Sequence, residues 1–287
     1  MMSEATTGDK RVKRDDDTAV AVPGDTAILK VPPVVLQADG VEKVYPNGTH
    51  ALDRADVTVR QGEFVSLLGP SGCGKSTLVK MFAGLEEPSG GRIVRPTVAA
   101  KGRCDMAMVF QEATLMPWAK VTDNARLPLD LASIPKAEGN ARVAEALELV
   151  GLSQFGHCYP RELSGGMQMR ASIARALAVR PSVLLMDEPF GALDEFTRNR
   201  LDSDLRNLWE EKPDLTVVFV THSIYEAVFL SSRVVVMAAR PGRVIADVPI
   251  ETDGPRDEAF RVSTTFIDNC RVLSEHLVRA NRGERGH

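Results

Sequence analysis

The stretch Gly69-Pro70-Ser71-Gly72-Cys73-Gly74-Lys75-Ser76-Thr77 constrains this chain more than any other. Its spacing is Gly-x-x-x-x-Gly-Lys-Ser, and it joins two segments of different kind. Before it runs Phe64-Val65-Ser66-Leu67-Leu68, a short apolar run of the sort that forms a buried strand. After it, Ser76 to Ala83 reads as a helix stopped by Gly84. The glycines let the backbone curl so that successive N–H groups point inward, and the helix N-terminus adds partial positive charge. A strand, loop and helix in this order cradle phosphate oxygens. Lys75 is placed to reach β- and γ-phosphates, Ser76 to ligate Mg²⁺, and Thr77 to approach the α-phosphate. ATP with Mg²⁺ is the expected ligand.

The rest of the chain supplies a sheet for this loop. Val183-Leu184-Leu185-Met186 and Val217-Val218-Phe219-Val220 are buried-type strands, with a helix predicted between them around Asp194 to Glu211. Alternating strands and helices imply a parallel sheet. Val34 to Ala38 and Leu52 to Val59 read as strands around an Asn47-Gly48 turn. Residues 112 to about 162 read as mainly helical, with Val143, Leu147 and Val150 on one face and Gly151 at the cap. Gly166 to Ala178 is a further helix. Past Val234 come two short strands, a Pro241-Gly242 turn and a charged helix from about Arg256 to Ala280. The expected fold is α/β: a P-loop NTPase with a RecA-like parallel sheet core, an antiparallel β subdomain and an inserted helical subdomain at about 112–165. Residues 35–255 form the predicted ATPase domain. Residues 1–34, with Lys10-Arg11-Val12-Lys13-Arg14 beside Asp15-Asp16-Asp17, read as a disordered tail, and 256–287 as a C-terminal helical extension.

Val183 to Met186 ends in Asp187-Glu188. A carboxylate there lies beside the phosphate loop if the two strands are neighbours. Asp187 would then hold the Mg²⁺ shell, and Glu188 would accept a proton from an attacking water.

Charge and composition exclude other classes. The net charge is −4, so no basic excess points to nucleic acid. No run approaches the roughly 18 apolar residues of a membrane span. The N-terminus shows no apolar segment of a secretory signal. Cys73, Cys104, Cys158 and Cys270 are scattered, which favours neither a zinc site nor a disulfide framework. These features predict a reducing, cytoplasmic setting.

Leu163-Ser164-Gly165-Gly166-Met167 lies between the phosphate loop and the acid pair. In that place it looks like the signature motif of the ATP-binding-cassette (ABC) ATPases, and the resemblance covers about residues 35 to 250. It extends through Gln111 (Q-loop), Ala192-Leu193-Asp194 (D-loop), Thr221-His222 (switch histidine) and Tyr45, at the place of the aromatic that stacks on adenine. The resemblance implies that Gln111 contacts Mg²⁺ or the attacking water, and that His222 bonds the γ-phosphate and orients Glu188 and water. It implies that Asp194 shapes the opposite subunit's site. Ser164, Gly165 and Gly166 would meet the γ-phosphate held by a second copy, in a head-to-tail dimer that hydrolysis opens.

The signature continues here as Met167-Gln168-Met169-Arg170 where many relatives have Gln-Arg-Gln. This, with Leu115-Met116-Pro117-Trp118, Asp187 to Asp194 and Ala238-Ala239-Arg240-Pro241-Gly242-Arg243, resembles the branch energising uptake of nitrate, taurine, alkanesulfonates and related small ions. That branch implies transmembrane permease subunits as partners, indirectly an extracytoplasmic solute-binding protein, and a place on the cytoplasmic face of the membrane. A permease helix would dock beside Gln111, with Leu115, Met116, Pro117 and Trp118 as candidates; ordinary core packing of these four is the alternative. A soluble ABC ATPase of repair or translation is the rival function. Repair types need a long inserted coiled coil and translation types a second cassette, and the chain shows neither. An unrelated P-loop kinase or GTPase would leave the signature and His222 unexplained.

Overall fold

The computed structural model describes residues 31–96, 105–191, 193–252 and 254–282. The Lys10 to Asp17 charge cluster, Cys104 and Ala192 lie outside the described residues.

A small antiparallel sheet pairs β1 (Val34–Val44) with β2 (His50–Arg60) on one side and β4 (Gly90–Val94) on the other. The large sheet contains β3 (Phe64–Leu68), β5 (Met106–Val109), β6 (Val183–Asp187), β7 (Thr216–Thr221), β8 (Arg233–Ala238) and β9 (Arg243–Pro249). Its order is β5-β6-β7-β3-β8-β9, parallel throughout except for β9, which turns back antiparallel on β8. The central strands bury every residue of β3, β6 and β7, so they read as continuous apolar runs rather than alternating ones.

Alternate residues of these strands face two cores. Phe64, Leu68, Leu184, Met186, Val217 and Phe219 pack with the helices on one face. Val65, Leu67, Val183, Leu185, Val218 and Val220 pack on the other, with the small sheet and α1 (Lys75–Phe82). Each such side chain, fully buried, is worth about 1.5–3 kcal/mol of transfer free energy.

Helices α2 (Val121–Leu131), α3 (Lys136–Leu149) and α4 (Gly165–Ala178) pack on one another through Ala125, Leu129, Val143, Leu147 and Ile173. Residues 110–120 between β5 and α2 hold no regular element, although helix was predicted from 112. Then come α5 (Glu195–Glu211), capped by Asp194, and α6 (Ile224–Leu230), capped by Ser223. Beyond β9, α7 (Thr264–Arg282) packs on β8 and α6.

The sequence predicted this last helix from about Arg256, but the chain gives Arg256 another task. Its buried guanidinium donates to the carbonyls of Val228, Phe229 and Ser231 at 3.0, 3.1 and 2.5 Å, closing the C-terminal end of α6. Burial pulls its pKa down to about 9.

A second expectation needs correction. β3 and β6 are not neighbours, because β7 runs between them. The phosphate loop still meets the acid pair, since α1 packs across β7 and β6. Register brings the strand ends level: Leu68 pairs with Thr221, and Asp187 with Val220.

Candidate active site

The C-terminal edge of the large sheet carries the chemistry. The loop after β3 turns through Gly74, at φ +88°, into the first turn of α1. A Cβ there would stand 2.5 Å from Cδ2 of Leu52 and in a conformation that L-residues resist, so glycine is required twice over. Lys75 follows, 4 % exposed. Its ammonium donates to the carbonyls of Gly69 at 2.8 Å and Pro70 at 3.2 Å, and Cys73 Sγ lies 3.8 Å away. The remaining direction faces Glu188 Oε1, at 4.0 Å.

Ser76 Oγ donates to Asp187 Oδ1 at 2.8 Å. Burial raises the pKa of Asp187; the Ser76 hydroxyl works against that and neighbouring Glu188 adds to it. Glu188 itself holds φ +46°, sparsely populated backbone for a residue with a side chain, and its N–H is tied to Val220 O at 3.1 Å. The turn aims the carboxylate back over the loop, where Oε2 lies 3.4 Å from Nδ1 of His222.

A cavity of about 560 Å³ opens over these groups. Ser71 to Thr77, Gln111, Glu188, Thr49, His50, Ala51 and Arg240 line it. Tyr45 stands at its side. The Tyr45 hydroxyl donates to Glu86 Oε2 at 2.9 Å and lies 3.2 Å from Thr77 Oγ1, and burial raises its pKa. Lys43 Nζ lies 5.2 Å from the centre of the Tyr45 ring.

Ser164, Gly165, Gly166 and Asp194 are not among the residues lining this cavity. Ser164 caps α4 by accepting the Met167 N–H at 3.3 Å, and its side chain is exposed. Asp194 caps α5 by accepting the Thr197 N–H at 2.9 Å, which lowers its pKa. The chain thus gathers Lys75, Ser76, Gln111, Asp187, Glu188 and His222 in one place and presents its signature residues elsewhere.

Two residues of the surroundings carry no motif. Arg175 of α4 donates to Thr114 O at 2.8 Å, Ala113 O at 3.2 Å and Thr114 Oγ1 at 2.9 Å, holding the segment just after Gln111. Asn124, fully buried, accepts the Met116 N–H at 2.7 Å and donates to Ala119 O at 3.0 Å and Lys120 O at 3.1 Å. Beside Arg175 lies an apolar groove of about 380 Å³, lined by Met106, Met108, Phe110, Leu127 and Leu131 among others. Leu115, Met116, Pro117 and Trp118 are not part of its lining. Leu115 packs on the main core, whereas Trp118 is 76 % exposed.

Residues 52–191 match the family model for ABC transporters. The chain is 48 % identical over 203 residues to the taurine import ATP-binding protein of Rhizobium johnstonii, covering 70 % of this chain and 77 % of that one. It is 42 % identical over 238 residues to the aliphatic sulfonates import ATP-binding protein of Bacillus licheniformis, covering 82 % and 91 %. Among solved structures, a dimeric post-hydrolysis ATP-binding cassette bound to ADP and phosphate superposes with a TM-score of 0.69 at 31 % identity, over 76 % of this chain and all of that one. A loop that holds phosphates, an acid pair on the next strand but one, and relatives matched along most of their length leave one assignment: the chain belongs to the ABC transporter family, as one of its ATP-binding, ATP-hydrolysing cassettes.

Proposed function

We propose that this cassette powers import of a small anion or organic sulfonate- or amine-type solute through separate permease subunits. The observation that carries the catalytic part is the run of contacts from Lys75 to Glu188 to His222, with Ser76 on Asp187 beside it. Gly69, Pro70, Ser71, Gly72, Cys73, Gly74, Lys75, Ser76 and Thr77 hold the phosphates of ATP, and Tyr45 meets the adenine. Water attacks the γ-phosphorus, its proton passes to a Glu188 oxygen, and the bond to the β-phosphate oxygen breaks to leave ADP and phosphate. His222, 3.4 Å from that carboxylate, orients it.

The residues present fit Mg²⁺. Ser76, Asp187 and Gln111 offer hydroxyl, carboxylate and amide oxygens, the donor set of a hard cation. When bound, it would neutralise charge on the β- and γ-oxygens.

Ser164, Gly165, Gly166 and Asp194 serve a second copy. The exposure of Ser164, Gly165 and Asp194, outside the lining of the chain's own cavity, and the dimeric cassette that this fold resembles both support a head-to-tail pair. Residues 35–255 act as the ATPase domain, with 112–165 as its helical subdomain and 256–287 as an extension. No helix among the described residues is long and apolar enough to cross a membrane. The permease supplies that path, and the cassette works against its cytoplasmic face, with an extracytoplasmic solute-binding protein acting indirectly. The relatives named for taurine and aliphatic sulfonates support a sulfonate-bearing solute.

Glu188→Gln tests this reading. ATP turnover should fall at least about a hundredfold, while ATP binding persists and an ATP-dependent dimer accumulates in light scattering. Undiminished turnover would remove Glu188 as the proton acceptor.

A further inference from the structure

Three adjacent strands end at the nucleotide cavity. β7 ends in His222 and β3 in the phosphate loop, while β8 leads into Ala239-Arg240. His222 and Glu188 occupy one flank of the loop. Arg240 occupies the other, and it lines the same cavity as Ser71 to Thr77.

The tip carrying Arg240 is hydrogen-bonded to β2 and packed against the loop. Gly242 N–H donates to Ala51 O at 3.1 Å, and Asp53 N–H donates to Gly242 O at 2.8 Å. A Cβ on Gly242 would stand 2.3 Å from Cys73 O and 2.4 Å from Ala51 O, so the two backbones touch and only glycine fits. Arg240 itself holds φ +66°, a conformation that a non-glycine residue adopts only under strain. Glycine would relieve that strain, yet the position keeps a long cationic side chain. Its guanidinium has no hydrogen bond or ion pair among the described residues.

Charge gives that side chain a use. Lys75 already faces Glu188, and Asp187 stands behind Ser76, so the cavity floor holds two carboxylates against one ammonium. Mg²⁺ at Ser76 and Asp187 would offset part of a triphosphate's charge on that flank, and a guanidinium fork on the other flank matches further phosphate oxygens with paired N–H donors.

We propose that Arg240 is a nucleotide-contacting residue, donating to the phosphate chain of the ATP held by Gly69 to Thr77 from the side opposite His222. The proposal rests on the ATP-site reading above.

Calorimetric titration of the full chain with ADP and with a non-hydrolysable ATP analogue tests it in Arg240→Gly, Arg240→Gln and Arg240→Lys. The Gly and Gln variants should bind both nucleotides about tenfold more weakly. Their KM for ATP should rise by the same factor with kcat kept, as for an interaction made equally in ground and transition states. Lys should recover part of the loss. Without nucleotide, the Gly variant should melt at or above the wild-type temperature, since its backbone is relieved. Binding by Gly and Gln variants within about twofold of wild type overturns the proposal. So does a loss in Gly that Gln does not share, because that would reflect hairpin geometry rather than charge. A wild-type chain that binds neither nucleotide would instead overturn the ATP-site reading, and this proposal with it.

Discussion

Asp202 of α5 is 1 % exposed, with Arg261 Nη2 3.6 Å from its Oδ2 and no hydrogen-bond partner for Oδ1 among the described residues. Burial first, and nearby Glu226 second, push its pKa up to about 8. Glu226 accepts from the Thr221 hydroxyl, next to His222, and lies 3.4 Å from Arg198. Arg198 in turn donates to Leu193 O at 2.8 Å. One buried charge cluster therefore touches the elements bearing His222 and Asp194. From the ordinary carboxylate value of 3.8, which the unfolded chain would show, up to about 8 the native chain binds the extra proton. Its contribution to stability is full below the unfolded value and is lost as pH rises through the folded one. Asp202→Asn should remove this dependence. Its thermal midpoint should fall less than the wild type's between about pH 6 and 9 and be the higher at the upper end; superimposable profiles would refute it. Asp202 and Arg261 lie far apart in sequence and belong to no motif, so nothing local announces the pair. Glu188 was the opposite case. Its place after an apolar strand marked it, although its φ of +46° did not show.

At the scale of elements, motifs located the large strands and helices well because Gly, Ser and Asp at their ends act locally. Ser164 and Asp194 both cap as their positions suggest. What escaped were β4, whose first two residues are glycines, β5, with four residues, and α6, with seven. β5 and α6 are too short for periodicity to speak, and the glycines of β4 read as turn rather than strand. The Ser223-x-x-Glu226 spacing could have flagged α6, since Ser223 Oγ accepts the Glu226 N–H at 3.3 Å. Residues 110–120 misled for another reason: Asn124 and Arg175 impose their course from other elements. A groove lined by Met106, Met108, Phe110, Leu127 and Leu131 thus joins Leu115 to Trp118 as a candidate seat for a permease helix. Leu131→Glu should abolish co-purification with the permease and leave the isolated chain's ATPase nearly unchanged. Trp118, exposed on the neighbouring turn, should weaken assembly less when cut to Ala. Loss of basal hydrolysis in Leu131→Glu, with assembly intact, would instead make that surface part of the fold.

Across the whole molecule, the parallel core followed from strand and helix alternation, but strand order did not. Sequence order says nothing of β7 inserting between β6 and β3, which only the packed sheet decides. The same holds for Arg240, legible as part of a distinctive turn, not as a wall of the cavity. The separation of Ser164 from the chain's own phosphate loop has a genetic consequence. A Lys75→Ala chain keeps a sound signature face, and a Ser164→Arg chain keeps a sound loop. Each alone should be inactive as a pair of identical subunits. Mixed, the two defects complement: the heterodimer holds one intact composite site beside one doubly broken one. Turnover appearing only on mixing would show that the smallest hereditary unit of this ATPase is half a site, and full turnover by the Ser164→Arg chain alone would show that each chain hydrolyses for itself.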